Sequence, residues 1–155
     1  MQTIPARQQS YAGFWLRFVA ILIDFLILSV AMGIPYGIFF GGMLSATRGM
    51  SPQDMMTGAL GTIFLVEAIG VLIQWLYFAL MESSSWQATL GKKALGLEVV
   101  DLEGRRISFG RATGRYFAKI ISGMILGIGY FMAGFTEKKQ ALHDMIAGCL
   151  VIKKL

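Results

Sequence analysis

The stretch FWLRFVAILIDFLILSV, residues 14–30, constrains this chain more than any other part of it. It opens an apolar run that continues to Gly42, yet it holds Arg17 and Asp24. One membrane crossing takes about 20 residues, so the run is longer than a single span requires. Composition points the same way: 55% of the 155 residues are hydrophobic and 15% are charged. Globular chains carry about 25% charged residues. Pro35 removes a backbone donor, which predicts a first helix over residues 14–34 and a kinked or interfacial continuation. Gly33, Gly37 and Gly41 recur every fourth residue. That spacing either admits a close helix neighbour or loosens the chain near the bend. No small-residue cleavage pattern follows the run, so it is expected to remain as a membrane helix.

The two charges differ in cost. They share a face, about 10 Å apart along the axis at 1.5 Å per residue. Helical side chains tilt toward the N-terminus, so Arg17 leans to the interface and snorkels. Asp24 falls about 15 Å below the helix start, near the middle of the hydrocarbon. An unpartnered Asp at that depth costs roughly 3 kcal/mol on insertion scales. A direct bond to Arg17 would stretch both side chains, so Asp24 needs a partner on another element, water, or a proton. A second apolar region, residues 58–81, carries Glu67 and Gln74 at the same seven-residue spacing. In an antiparallel hairpin, Asp24, Glu67 and Gln74 would fall at similar depths. Such a cluster reads either as a proton or cation site or as polar glue between helices.

Residues 82–116 are basic, with Lys92, Lys93, Arg105, Arg106, Arg111 and Arg115. The loop at 43–57 carries only Arg48. Lys and Arg gather on the cytoplasmic side, which places 82–116 and the N-terminus there. Tyr11, Trp15, Tyr77, Trp86 and Tyr116 fall near that same face, as amphipathic rings do. Within the segment, residues 95–101 read as a strand followed by a turn at Gly104, with RISFG as a return strand. Residues 149–154 form another β-branched run. It can pair with 95–101 only if both lie on one side of the membrane.

Arg111, Arg115 and Lys119 are spaced four apart and form one basic stripe, as expected of an interfacial helix facing anionic head groups. The uncharged residues 120–136 that follow are at the lower limit for a span. They include Gly123, Gly127, Gly129 and Gly134. This region either crosses or dips and returns, the latter requiring protein to shield its backbone. The basic tail, with Lys138, Lys139, Lys153 and Lys154, favours return. Asp144 is then expected to pair with Arg17, or with Arg111 and Arg115, and to anchor the tail.

The quoted residues resemble the RDD family of small bacterial membrane proteins, named for one arginine and two aspartates. LRFVAILID matches the family's first helix, with Arg17 and Asp24 in the motif positions. QALHDMIAGCLVIKK resembles its C-terminal signature, which makes Asp144 the second aspartate. TLGKKALGLEVVDLEGRRISFGRATGRY is similar to its central segment. The resemblance implies a bacterial inner-membrane protein. It also implies one of two roles: transport, including exchange of monovalent cations for protons, or service as an accessory partner of a membrane enzyme. A chain this small would need to oligomerise to enclose a pathway.

Other chemistries are weakly indicated. LGKKALG lacks the spaced glycines and hydroxyl of a phosphate loop. His143 is the sole histidine and Cys149 the sole cysteine, which argues against a metal site and against a hydrolytic triad. The net charge of +5 follows membrane orientation rather than nucleic-acid binding. The expectation is a non-enzymatic, cofactor-free, all-α membrane protein forming a single domain over 1–155. It has two clear spans, a third apolar segment and a short cytoplasmic β-sheet. Its neighbours are the lipid bilayer and either a second copy or a membrane-protein partner.

Overall fold

The computed structural model describes residues 10–125 and 128–154. In chain order the elements are β1 (Ser10–Tyr11), α1 (Phe14–Ala46), α2 (Pro52–Ser83), α3 (Leu90–Ala94) and β2 (Leu97–Asp101). They are followed by α4 (Phe109–Met124), α5 (Ile128–Phe135), α6 (Leu142–Ala147) and β3 (Cys149–Lys153). Gly127 and residues 1–9, read above from sequence, lie outside the described residues. The chain divides into two compact units. One is Phe25–Gln74; the other joins the described residues up to Asp24 with those from Trp75 onward.

The Phe25–Gln74 unit consists of the distal parts of α1 and α2. Both helices are apolar and long enough to cross a membrane. The first helix does not end near residue 34. Pro35 sits inside α1, which runs 33 residues to Ala46. Proline removes one intrahelical donor, whereas ending a helix within hydrocarbon would strand several backbone groups. Pro52 opens α2, where its missing N–H costs nothing. Ser51 receives the Asp54 N–H at 3.2 Å and donates to its carboxylate at 2.6 Å. Gly70 sits under Tyr36: a Cβ there would lie 2.7 Å from the phenol oxygen. Gly33, Gly37 and Gly41 have open space where a Cβ would go, so no described segment of this chain packs closely on them.

The other unit is built on a three-stranded antiparallel sheet in the order β1-β3-β2. The anticipated pairing is present, with Leu97 opposite Lys153 and Asp101 opposite Cys149. Leu97, Val99 and Val151 turn one face of the sheet onto Ala12, Ala20, Ala79, Ile107 and Ala112. The expected return strand RISFG reduces to one bridge, Val100 to Arg106. Ser108 then accepts the Arg111 N–H and starts α4, so capping overrides extension.

Sharing a sheet has a topological consequence. Hydrogen-bonded strands lie on one side of a membrane. An even number of crossings therefore separates β1 from β2, and β2 from β3. Only α4 and α5 lie between β2 and β3 with apolar length, and they meet at a bend of 102°. Eight-residue α5 is about 12 Å long, too short for a second crossing. The α4–α5 segment thus returns to the side it left. Its polarity is inverted: Arg115 and Ser122 face inward, while Phe117, Ile120, Ile121 and Met124 face outward. Gly129 lets the two helices meet, since a Cβ there would stand 2.8 Å from the Ser122 side chain.

Candidate functional site

Asp24 and Arg17 are turned inward from α1 into the sheet-bearing unit, and each meets a different set of groups. Asp24 is 1% exposed. One carboxylate oxygen accepts from the Tyr77 hydroxyl at 2.7 Å and the Gly91 N–H at 2.8 Å. The other accepts from the Thr89 hydroxyl at 2.6 Å. Thr89 is the N-cap of α3, so the helix start and its cap both point at the carboxylate. The Tyr77 oxygen in turn accepts the Leu90 N–H at 3.0 Å. Glycine at 91 is required by this approach. A Cβ would lie 2.1 Å from the Ala20 carbonyl oxygen.

Arg17 reaches the tail. Its guanidinium donates to Asp144, to the Lys139 carbonyl at 2.6 Å and to the Ala12 carbonyl at 2.9 Å. Asp144, fully buried on α6, also accepts from Arg115 Nε at 2.8 Å and from the Ala141 N–H at 3.1 Å. Arg115 continues the chain, donating Nη1 to Glu82 at 2.6 Å. Glu82 pairs with Lys92 and lies 3.8 Å from the Lys119 ammonium, which sits over the Phe78 ring at 4.0 Å. Five elements thus converge on one buried ionic network. It is made of Arg17 (α1), Glu82 (α2), Lys92 (α3), Arg115 and Lys119 (α4) and Asp144 (α6). Removing one member of such a set leaves a buried charge uncompensated.

Outside the helices that cross, burial acts on every titratable group of the site. Burial alone would raise the Asp144 carboxyl, but Arg115 and Arg17 together hold it well below the usual carboxylate range. Burial depresses Lys92, opposed by Glu82. His143 is driven down to about 3, chiefly by burial and then by the facing cations, against the pull of Asp144. Its ring sits beside Ser122, 3.3 Å from the hydroxyl. Cys149 is buried and raised to about 11 by desolvation.

Asp144, expected to meet Arg17 or else Arg111 and Arg115, meets Arg17 and Arg115 but not Arg111, and this ties the tail to α1. The basic stripe needs correction. Arg111, Arg115 and Lys119 do share one face of α4, but its middle is turned inward: Arg115 is buried and Lys119 half-buried, while Arg111 stays exposed. Arg115 is 2% exposed against Glu82 and Asp144. Arg111 reaches toward Asp101, 3.9 Å away. Carboxylates, not lipid phosphates, meet Arg115, because the outward face of α4 is apolar. The three bonds to Asp24 come from Tyr77, Thr89 and Gly91. Glu67 and Gln74, expected beside it, belong to the Phe25–Gln74 unit and are exposed.

Sequence reasoning missed Glu82, Lys92, Tyr77, Thr89 and Gly91. Thr89 preceding Leu-Gly-Lys-Lys is a capping signal that could have marked the α3 start. Glu82 closes an otherwise apolar helix, and its network with α4 was not visible from either segment alone. Among the described residues, no three of His, Cys, Asp and Glu are grouped to hold a metal ion.

Two membrane-length apolar helices and a buried ionic network over a small sheet define an integral membrane protein with an internally braced sheet-bearing unit. The chain belongs to the RDD family, which it matches over residues 11–148. It is similar to the uncharacterized protein YxaI of Bacillus subtilis, 41% identical over 148 residues, covering 92% of this chain and 97% of that one. It is also similar to the uncharacterized membrane protein YteJ of the same organism, 33% identical over 150 residues, covering 92% and 81% respectively. No solved structure matches it.

Proposed function

We propose that this RDD-family membrane protein is a non-catalytic accessory subunit that binds another membrane protein in the bacterial cytoplasmic membrane. The observation that carries this reading is the locked state of the site. Asp24 holds three hydrogen bonds, one from a backbone N–H that can only donate. Asp144 and Glu82 are clamped by arginine and lysine. A carrier carboxylate must exchange its partners each cycle, whereas this arrangement holds helices, sheet and tail in one geometry.

Cation or proton transport is the second reading, favoured by Glu67, a carboxylate on the exposed face of an apolar helix. One experiment separates the two. Purified protein in sealed vesicles is tested for dissipation of a pH gradient on addition of Na⁺ or K⁺. The accessory reading expects no flux above empty vesicles. Flux abolished by Asp24→Asn or Glu67→Gln overturns it.

The basic count in residues 82–116 supports a cytoplasmic sheet, N-terminus and tail. Glu103 and Lys138 are exposed and suit a test of this orientation. Cysteines introduced at both should react with an impermeant thiol reagent only from the cytoplasmic side.

A further inference from the structure

Glu67 is the one charge in α2 between Asp54 and Glu82. Residues 55–81 carry no other Asp, Glu, Lys, Arg or His. Any hydrocarbon window of about 20 residues within that stretch places Glu67 at least about 7 Å inside the nearer interface. Its side chain nevertheless lies on the outer surface. Among the described residues it makes no hydrogen bond or ion pair. The α1-facing side of α2 is marked by Gly70 beneath Tyr36. Glu67 instead shares a lateral stripe with Leu60, Phe64 and Val71, at helical spacings of four, three and four. These neighbours are 52%, 75% and 51% exposed. A carboxylate facing acyl chains is costly, and intramembrane acids ordinarily meet a partner group.

Neither helix of this unit offers a cation at that depth: α1 has no basic residue beyond Arg17, and α2 has none. A two-fold pairing of α2 with a second copy would set Glu67 against itself. We propose that the stripe Leu60–Phe64–Glu67–Val71 is a docking surface for a transmembrane helix of another membrane protein. That helix presents a lysine, an arginine or a neutral hydrogen-bond donor at the depth of Glu67. The proposal rests on the accessory reading and names the surface through which it acts.

The test places a photo-reactive phenylalanine analogue at Phe64 or Val71 in the full chain, in its native membrane. Leu65 and Leu72, exposed on the opposite lateral face, serve as controls. The expected result is a protein adduct from 64 and 71 but not from 65 and 72. Mass spectrometry should find a basic or donor residue within the adduct's membrane span. Glu67→Leu should lower the adduct yield about tenfold, the worth of one intramembrane hydrogen bond. Leucine suits a lipid-facing position, so the abundance of the variant should be unchanged, separating lost docking from lost folding. Only lipid adducts, an adduct to a second copy, or a yield indifferent to Glu67→Leu overturns the proposal. A partner captured solely from 65 or 72 removes this surface and leaves the accessory reading standing. Cation flux in vesicles removes that reading itself.

Discussion

Gly91→Ala adds one methyl group and no charge, and the structure makes it severe. The new Cβ would lie 2.1 Å from the Ala20 carbonyl oxygen and 2.9 Å from the Asp24 carboxyl carbon. Both are firm neighbours on α1, so α3 must retreat by about 1 Å or more to reach ordinary contact. That retreat pulls the Gly91 N–H, now at 2.8 Å from Asp24, out of hydrogen-bond range. It also drags the Thr89 hydroxyl off the other carboxylate oxygen. Losing a hydrogen bond to a charged group costs about 1.5–3 kcal/mol. Residual crowding adds about 1–3 kcal/mol. The total is roughly 2.5–6 kcal/mol, a drop in Tm on the order of 10 °C for a chain of this size. The assay is thermal unfolding of purified protein in detergent. Gly114→Ala provides the contrast, because a Cβ at that α4 position meets nothing within 4 Å. Alanine there should be neutral or stabilising by up to about 1 kcal/mol. A Gly91→Ala protein melting within about 2 °C of the parent would refute the reasoning.

Asp144→Asn leaves Arg17 and Arg115 without their shared anion and should destabilise by about 3–5 kcal/mol, read as lost membrane abundance; unchanged abundance would show that the tail is anchored otherwise. His143 stays neutral in the folded state to about pH 3, whereas the unfolded chain takes up its proton near pH 6.5. Its contribution is present above that unfolded value and is lost as pH falls toward about 3, at up to about 1.4 kcal/mol per unit, a slope already developed between roughly pH 6.5 and 5. Denaturation midpoints measured across that window should slope for the parent and flatten for His143→Gln. Cys149, buried and raised to about 11, should resist thiol reagents at pH 8 until the protein is unfolded; prompt labelling of the native protein would contradict its place in the sheet.

The charged positions were legible because charge is rare in this chain. Arg17 and Asp24 stand out in an apolar helix, and Asp144 stands out through its surrounding motif. The β2–β3 pairing was legible because both segments are short β-branched runs between turn residues. What met those charges was not legible. The Arg17–Asp144 bond spans 127 positions, and helical spacing says nothing about contacts at that range. The α4 stripe shows the same limit. Its spacing correctly put Arg111, Arg115 and Lys119 on one face, but a face has no direction until its neighbours are placed. Read alone, an amphipathic helix turns its charges to water or phosphate. Here Glu82 and Asp144 draw Arg115 inward, while Arg111 stays exposed. Pro35 signals a helix end only where the chain could leave the helix into water; in lipid the cost of one missing donor is smaller than that of ending the helix.

The central place of β3 in the sheet has a consequence for how the protein is made. β3 is the latest of the three strands to be synthesised, yet β1 and β2 both bond to it and not to each other. Arg17 leaves the ribosome 127 residues ahead of Asp144. At bacterial elongation rates that gap lasts on the order of ten seconds. Throughout it, α1 must persist in the translocation machinery or the bilayer with its arginine unmatched. The nascent chain therefore passes through a vulnerable interval in which membrane chaperones or proteases can engage it. Arrival of the C-terminal strand ends that interval, acting as a checkpoint that separates finished molecules from truncated ones.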